Sequence, residues 1–493
     1  MRIALDRSSD APLYEQVAGF IRERCRSGAF EPGSRLPSAR ALAEELGVSR
    51  ITTEGAYAQL EAEALVVRRL GSGTFVAEGA ARSGEARGWP VPAWQAELAS
   101  RGPVSGLEAG AGLRARPRDD VIDLASGLGD PAFLPREGLR SALRRACAEE
   151  ESFDYADPRG YAPFREAAAR VLSSRGIDAA PGEILVTSGS QEGILLFALL
   201  AARRGGPVLV ESPTYAVALA LFRALGLGVV GVPVDARGMR VDLAERALRE
   251  TKPAFIYTMP NFQNPSGASL APERRAELAA LAAREGVPVL EDDYVGDLRV
   301  EGRDLPALCS IAPPGTVAYS GTFSKMLAPG LRVGFLLARG PVFDLLLDLK
   351  YAASLSSPGL EQRALARIVT VGGYDNHVRR SRRACRSRRD ALLEALEALP
   401  PGFALERPAG GLFAWLRLPP GLGARRLAEA CRAVGVLVYP GGPCFPDPAD
   451  PEADRYLRLN FAAEREERLV EGARRIAAAA VDLGAGRALS SRR

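Results

Sequence analysis

Leu13, Val17, Phe20 and Ile21 recur three and four positions apart, and the run ends at Gly28, which predicts a first helix. After EPGSRLP, Ser38 is placed to cap a second helix over Ala39–Leu46, which Gly47 stops. Ser49 then caps a third, Arg50–Ala62, with Thr53, Tyr57 and Leu60 on one face. Two helices separated only by Gly47, Val48 and Ser49 make a helix-turn-helix. The apolar triplets Leu65–Val67 and Thr74–Val76 flank RRLGSG and predict a β-hairpin wing. Residues 1–78 thus read as one compact module.

The pattern then changes twice. Residues 79–120 hold Gly, Pro, Ala and charges with little apolar period, as a linker does, with one helix around Trp94–Leu98. From Val121, short apolar runs alternate with helical stretches. Expected strands are Glu183–Thr187, Pro207–Glu211, Val229–Val234, Ala254–Met259, Pro288–Asp292, Thr316–Ser320 and Val333–Ala338. Helical runs such as Gln191–Arg203, Thr214–Leu225 and Pro272–Arg284 fall between them. That alternation argues for a mostly parallel sheet covered on both faces, an α/β domain over residues 121–480. The stretch from about Gly373 is helix-rich with a few strands and suits a smaller α+β lobe. The expected division is a large lobe over about 155–370 and a small one from 121–154 plus 371–480. No internal repeat is visible.

Composition narrows the chemistry. With 493 residues, 47% hydrophobic and 25% charged, the chain can bury a large core and is neither disordered nor a disulfide-stapled miniprotein. The opening MRIALDRSSD lacks the apolar stretch of a secretion signal, and Gly193–Ala202, the longest apolar run, is half a membrane span. Six scattered cysteines without a CxxC pair fit a reducing compartment, so a cytoplasmic location is expected, with no membrane partner. Of 64 basic residues only Lys252, Lys325 and Lys350 are lysine, and His377 is the one histidine. Histidine-based metal sites and Ser-His-Asp triads are therefore nearly excluded, and no metal is expected. His377 itself, inside NHVRRSRR, reads as a solvated helix residue.

Any chemistry that needs an amine has three candidates, and one stands out. SGTFSKMLAPGLRVGF sets hydroxyls at Thr322 and Ser324 around Lys325, with Arg332 just before a strand. Hydroxyls and a guanidinium grip a phosphate, and a lysine among them can form a Schiff base with an aldehyde. An aldehyde with a phosphate is pyridoxal 5'-phosphate (PLP). Other segments supply what that cofactor needs. LEDDY puts Asp292 and Tyr294 on one face of a strand, where Asp292 can hold the pyridine nitrogen protonated and Tyr294 can bond the phenolic oxygen. PNFQNPSG offers Asn264 for that same oxygen, and Tyr215 in ESPTY can stack on the ring. TSGSQEG follows a strand and opens a helix, so Gly189, Ser190 and Gln191 can cradle the phosphate. Each alone is weak; five in this order are not.

Two resemblances follow from these motifs. GSRLPSARALAEELGVSR and GSGTFV resemble the winged helix-turn-helix (wHTH) domain of GntR-family regulators over about 65 residues. That resemblance makes double-stranded promoter DNA the partner and Arg40 and Arg50 the main contacts. Ser49, Thr52 and Thr53 lie close by, and Arg35 and Gly71 are lesser candidates. Residues 1–80 hold ten arginines against eleven Asp and Glu, a net charge of −1. The charge therefore leaves a wHTH-shaped protein-interaction module open, and the motif carries the DNA reading.

Residues 120–480 resemble class I/II aminotransferases of PLP fold type I. By that resemblance Lys325 is the catalytic lysine that bonds the cofactor, Asp292 its pyridine partner, and Ser190, Thr322, Ser324 and Arg332 the phosphate cup. Arg458 in RYLRLNF matches the arginine that holds a substrate carboxylate, and Gly127 in LASGLGDP matches the loop above the substrate. Tyr155 matches a tyrosine that reaches the neighbouring subunit's phosphate, which implies a homodimer. A GntR-type wHTH, a linker and an aminotransferase-like domain together resemble the MocR subfamily of GntR regulators. The expected function is a PLP-dependent, DNA-binding transcriptional regulator with an amino acid or other amine as effector. An active aminotransferase that also binds DNA stays open, as does an enzyme whose first module reads no DNA.

Overall fold

The computed structural model describes residues 5, 12–26, 30, 33–63, 65–69, 73–77, 92–100 and 120–490. The chain falls into two compact units, Met1–Gly102 and Pro103–Arg493.

In the first unit, helices Leu13–Arg26, Ala39–Leu46 and Arg50–Ala62 pack around Val17, Ile21, Leu42, Ala56, Tyr57 and Leu60. Strands Val66–Arg69 and Gly73–Val76 pair antiparallel with Val66 opposite Val76, the expected wing. Both serine caps form. Ser38 Oγ accepts from Ala41 N at 3.1 Å, and Ser49 Oγ from Thr52 N at 3.1 Å. Gly47 closes the second helix in the left-handed region at φ 63°, where a Cβ is unfavourable. Thr53 departs from expectation. It is 0% exposed and its hydroxyl donates to Ala39 O at 2.7 Å, so it bolts the second and third helices together and is withdrawn from any DNA surface. Gly71 lies outside the described residues. Of the 79–120 segment, helix Ala93–Ser100 is described.

The second unit is built on an eight-stranded sheet. Its order is Ile184–Thr187, Gly334–Leu337, Val317–Thr322, Val289–Asp293, Phe255–Thr258, Val208–Ser212, Val229–Asp235 and Gly238–Met239. The five strands from Val317–Thr322 to Val229–Asp235 run parallel, whereas Gly334–Leu337 is antiparallel to both neighbours. All four residues of Ile184–Thr187 and all five of Val289–Asp293 are buried, as strands covered on both faces must be. A four-stranded antiparallel sheet, Ala404–Leu405, Phe413–Arg417, Tyr456–Asn460 and Tyr439–Pro440, forms beyond it. Ile122–Asp123 pairs with Val436–Leu437, which ties the start of this unit to its C-terminal part.

Helix Gly373–Leu396 corrects the reading of His377, which is 2% exposed. Tyr374, His377, Val378, Ser381, Cys385, Arg388 and Leu392 recur at three and four residues and form one buried face. The arginines hide this period in the sequence, because Arg388 and Arg389 are themselves buried and donate to the carbonyls of Ala462 and Pro408. The His377 ring meets Met326 O, directly behind Lys325. Among the described residues no helix is long and apolar enough to cross a membrane.

Candidate functional site

Parallel strands deliver their following loops to one edge of the sheet, and the expected residues collect there. Lys325 follows Val317–Thr322, Asp292 ends Val289–Asp293, Tyr215 follows Val208–Ser212, and Gly189 follows Ile184–Thr187.

Asp292 is buried, and its Oδ2 accepts from Tyr257 OH at 2.7 Å. Its Oδ1 has no hydrogen-bond partner among the described residues. Burial raises the carboxyl pKa to about 7; the Tyr257 hydrogen bond pulls it down, neighbouring Asp293 pushes it up, and Lys325 pulls it down. A buried acceptor left open in this way suits an N–H on a ring. Lys325 Nζ donates to Gly127 O at 2.9 Å. Burial, then the charges of Arg458 and Arg332, lower its pKa to about 8. The amine is thus within reach of its free, nucleophilic form.

The phosphate end is equally specific. Arg332 stands in the left-handed region at φ 51° and donates to Ser188 O at 3.0 Å, with Nη1 3.5 Å from Ser324 Oγ. Thr322 Oγ1 accepts from Ser324 N at 3.1 Å. Gly189, at φ 83°, gives way to this guanidinium, since a Cβ there would lie 2.5 Å from Arg332 Nη2. Ser190 and Gln191 open helix Ser190–Ala201, whose first N–H groups have no partners within the helix.

Around the ring position, Tyr215 is half-buried and its hydroxyl pKa is pushed up to about 12 by burial. Tyr294 OH donates to Phe262 O at 2.7 Å, so bonding a phenolic oxygen requires that proton to change partners. Asn264 Oδ1 accepts from Arg458 Nη1 at 2.9 Å, which leaves its amide NH2 as the donor. Arg458 also donates to Ala125 O at 2.7 Å and lies between the rings of Phe413 and Tyr439, 4.2 and 4.4 Å from their centroids. Gly127 sits over Lys325, where a Cβ would come to 3.9 Å from Nζ. Tyr155 stands apart at 84% exposed.

Tyr257, Asn460, Phe413 and Tyr439 escaped the sequence reading. Asn460 Nδ2 holds Ser126 O and Leu128 O at 2.7 and 2.8 Å and so fixes the Gly127 loop. No local motif marks these four. Tyr257 in particular reads as strand core, and only the register of Phe255–Thr258 against Val289–Asp293 brings it to Asp292.

On the first unit, Arg40 and Arg50 are exposed and each pairs with a glutamate one turn on: Arg40 with Glu44 at 3.2 Å, Arg50 with Glu54 at 2.8 Å. Ser49 and Thr52 share a hydroxyl contact of 2.8 Å in the cap. Arg35 pairs its backbone with Phe75 of the wing, and its guanidinium passes Gly73. Ile51, at the start of the third helix, is 81% exposed and is not among the expected residues.

Fold and site together define a PLP-binding, aminotransferase-like domain behind a winged helix. Residues 119–476 match the aminotransferase class I and II family, and residues 13–76 match the GntR family of bacterial regulatory proteins. The HTH-type transcriptional regulator TauR of Rhodobacter capsulatus is 33% identical over 95% of this chain and 96% of its own length. The uncharacterized HTH-type transcriptional regulator YdfD of Bacillus subtilis is 29% identical over 94% of this chain and 95% of its own. Among solved structures, the α-aminoadipate aminotransferase LysN of Thermus thermophilus, complexed with N-(5'-phosphopyridoxyl)-L-leucine, superposes with a TM-score of 0.70. It is 33% identical over 74% of this chain and 94% of that one. The chain belongs to the aminotransferase class I and II family and carries a GntR-type DNA-binding domain ahead of it, the arrangement of MocR regulators. Its cofactor is PLP.

Proposed function

We propose that the chain is a homodimeric regulator whose grip on promoter DNA answers to what occupies the Lys325 pocket. When bound, PLP supplies an aldehyde and an electron-withdrawing ring. Lys325 would hold the cofactor through Nζ, the amine that condenses with that aldehyde as water leaves. Asp292 accepts the ring N–H on its open Oδ1, and Tyr257 fixes the carboxylate from its other side. Tyr294 and Asn264 flank the phenolic oxygen, and Tyr215 covers the ring. Gly189, Ser190, Gln191, Thr322, Ser324 and Arg332 bind the phosphate, joined by Tyr155 from the second subunit. Arg458, already desolvated between two rings, holds the carboxylate of an amino-acid effector beneath the Gly127 loop. Residues 1–78 read DNA through Arg40 and Arg50, with Arg35, Ser49, Thr52 and Gly71 alongside. Residues 79–120 link them to the 121–480 domain, with the chain acting in the cytoplasm.

The observation that carries this reading is the buried Asp292 with one oxygen open and Lys325 beside it. Borohydride treatment of the purified protein, followed by peptide mapping, should fix the cofactor on Lys325. A borohydride-stable cofactor adduct in Lys325→Ala would contradict the assignment. A second reading, an aminotransferase that also regulates, is supported by Lys325 lying buried among Arg458, Arg332 and Asp292, the residue types that transamination needs. Half-reactions with a panel of amino acids separate the two, since only the enzyme converts the bound cofactor to its amine form.

A further inference from the structure

Asp292 and Asp293 are consecutive on one strand and therefore face opposite sides of the sheet. Behind Asp293 lies a cavity of about 500 Å³, and none of the residues proposed to hold the cofactor lines it. Five arginines and four aspartates are in its wall. Two of the arginines are committed. Arg175 binds Asp293 and Asp297, and Arg382 binds Asp304 and the Asp297 carbonyl. The other three have no carboxylate within hydrogen-bond distance among the described residues. Arg170 donates to Thr370 Oγ1 at 2.9 Å, and Arg379 to Asn376 Oδ1. Arg299 lies over the Phe262 ring at 4.8 Å, with Nε 3.9 Å from Asp304.

Arg299 is the telling member. It is 8% exposed, and its Nη2 has no hydrogen-bond partner among the described residues. A guanidinium can only donate, and it stays charged at any physiological pH. Donors without acceptors, on the wall of a cavity this size, select a ligand rich in acceptor oxygens and of opposite charge. We propose that this cavity is a second ligand site, for a small organic anion bearing carboxylate or phosphate groups, on the far side of the strand from the cofactor. Such a ligand reaches Arg299 at the bottom of the cavity and Arg170 and Arg379 at its rim. Because Asp293 lines the cavity and adjoins Asp292, the site shares one strand with the cofactor pocket.

The test is calorimetry on the full chain saturated with PLP, in a buffer free of phosphate and carboxylate, with citrate, succinate and inorganic phosphate as separate titrants. One of them should bind once per chain, and Arg299→Met should weaken it about tenfold or more, the worth of a charge-assisted hydrogen bond. Methionine keeps the packing on Phe262 while removing the donor. PLP content, read separately by absorbance, should be unchanged, so a failure of the cofactor reading stays distinct from a failure of this one. Preference for citrate or succinate assigns carboxylates; preference for phosphate assigns phosphate esters. Should Arg299→Met not fold, the exposed pair Arg170→Ala with Arg379→Ala carries the test and should weaken binding likewise. No binding by any titrant below about 10 mM, or binding unaltered by the variants, overturns the proposal.

Discussion

Lys325 and Asp292 are held away from their ordinary ionisation by the same burial, in opposite senses. The lysine's pKa falls to about 8, so its charged form loses ground as pH rises through that value. At pH 7 about a tenth of the amine is free, and at pH 9 about nine tenths. Covalent uptake of PLP by the apoprotein should therefore speed up about tenfold between pH 7 and 9, measured by stopped-flow absorbance. A flat profile across that range would remove Lys325 as the limiting nucleophile. The Asp292 carboxyl depends on Tyr257, whose hydroxyl gives it its one hydrogen bond among the described residues. Tyr257→Phe leaves both carboxylate oxygens buried without a donor, which costs about 1–3 kcal/mol and favours the neutral acid. The variant should hold PLP about tenfold more weakly by equilibrium dialysis. Unaltered retention would mean that Asp292 needs no support to serve the ring nitrogen.

At the level of single elements, the DNA contacts proposed for Arg40 on the second helix and Arg50 on the third each have an acidic neighbour one turn on. Arg40–Glu44 and Arg50–Glu54 are exposed pairs, weakly held in water and easily exchanged for a phosphate or a base edge. Arg50→Ala should either lower the salt slope of promoter binding by about 1 or cost about 1–3 kcal/mol and relax one base position. Promoter affinity against salt distinguishes these, and unchanged binding in both Arg40→Ala and Arg50→Ala would remove the second and third helices from the interface. These elements are legible in the sequence because their signals are local. Ser38, Gly47 and Ser49 mark helix ends by cap chemistry, and the seven expected strands shift by only a residue or two at their ends. What stays hidden depends on the fold. Thr53 shares a face with Tyr57 and Leu60, but only the packing of the second helix shows that its hydroxyl is consumed by Ala39 O. His377 looks solvated in the sequence because the arginines beside it, Arg379, Arg380 and Arg383, are exposed and hide the buried face it shares with Tyr374, Val378 and Ser381. Tyr257 and Asn460 reach the site through strand register and a returning chain, which no window of sequence contains.

In the whole molecule, a DNA-binding unit precedes a cofactor-binding unit in one chain, and the proposed function requires that the second alter the first. A ligand moves such an equilibrium only by binding its two states unequally. On the proposed reading, a ligand filling the Lys325 pocket would meet the Gly127 loop, which Asn460 and Lys325 both hold, and Arg458 of the antiparallel sheet. Ligand contacts on both sides of the pocket would therefore join the two sheets of the unit. In the proposed homodimer, Tyr155, exposed on this chain, would add the second subunit to the same event. The most direct measurement is promoter affinity of the full-length protein at fixed salt, with and without PLP and a candidate amino acid, for the native chain and Lys325→Ala. The native protein should change its affinity about fivefold or more on ligand addition, the lower range of coupling between sites, and Lys325→Ala should not respond. Equal affinity with and without ligand in the native protein, at confirmed PLP occupancy, would contradict the account.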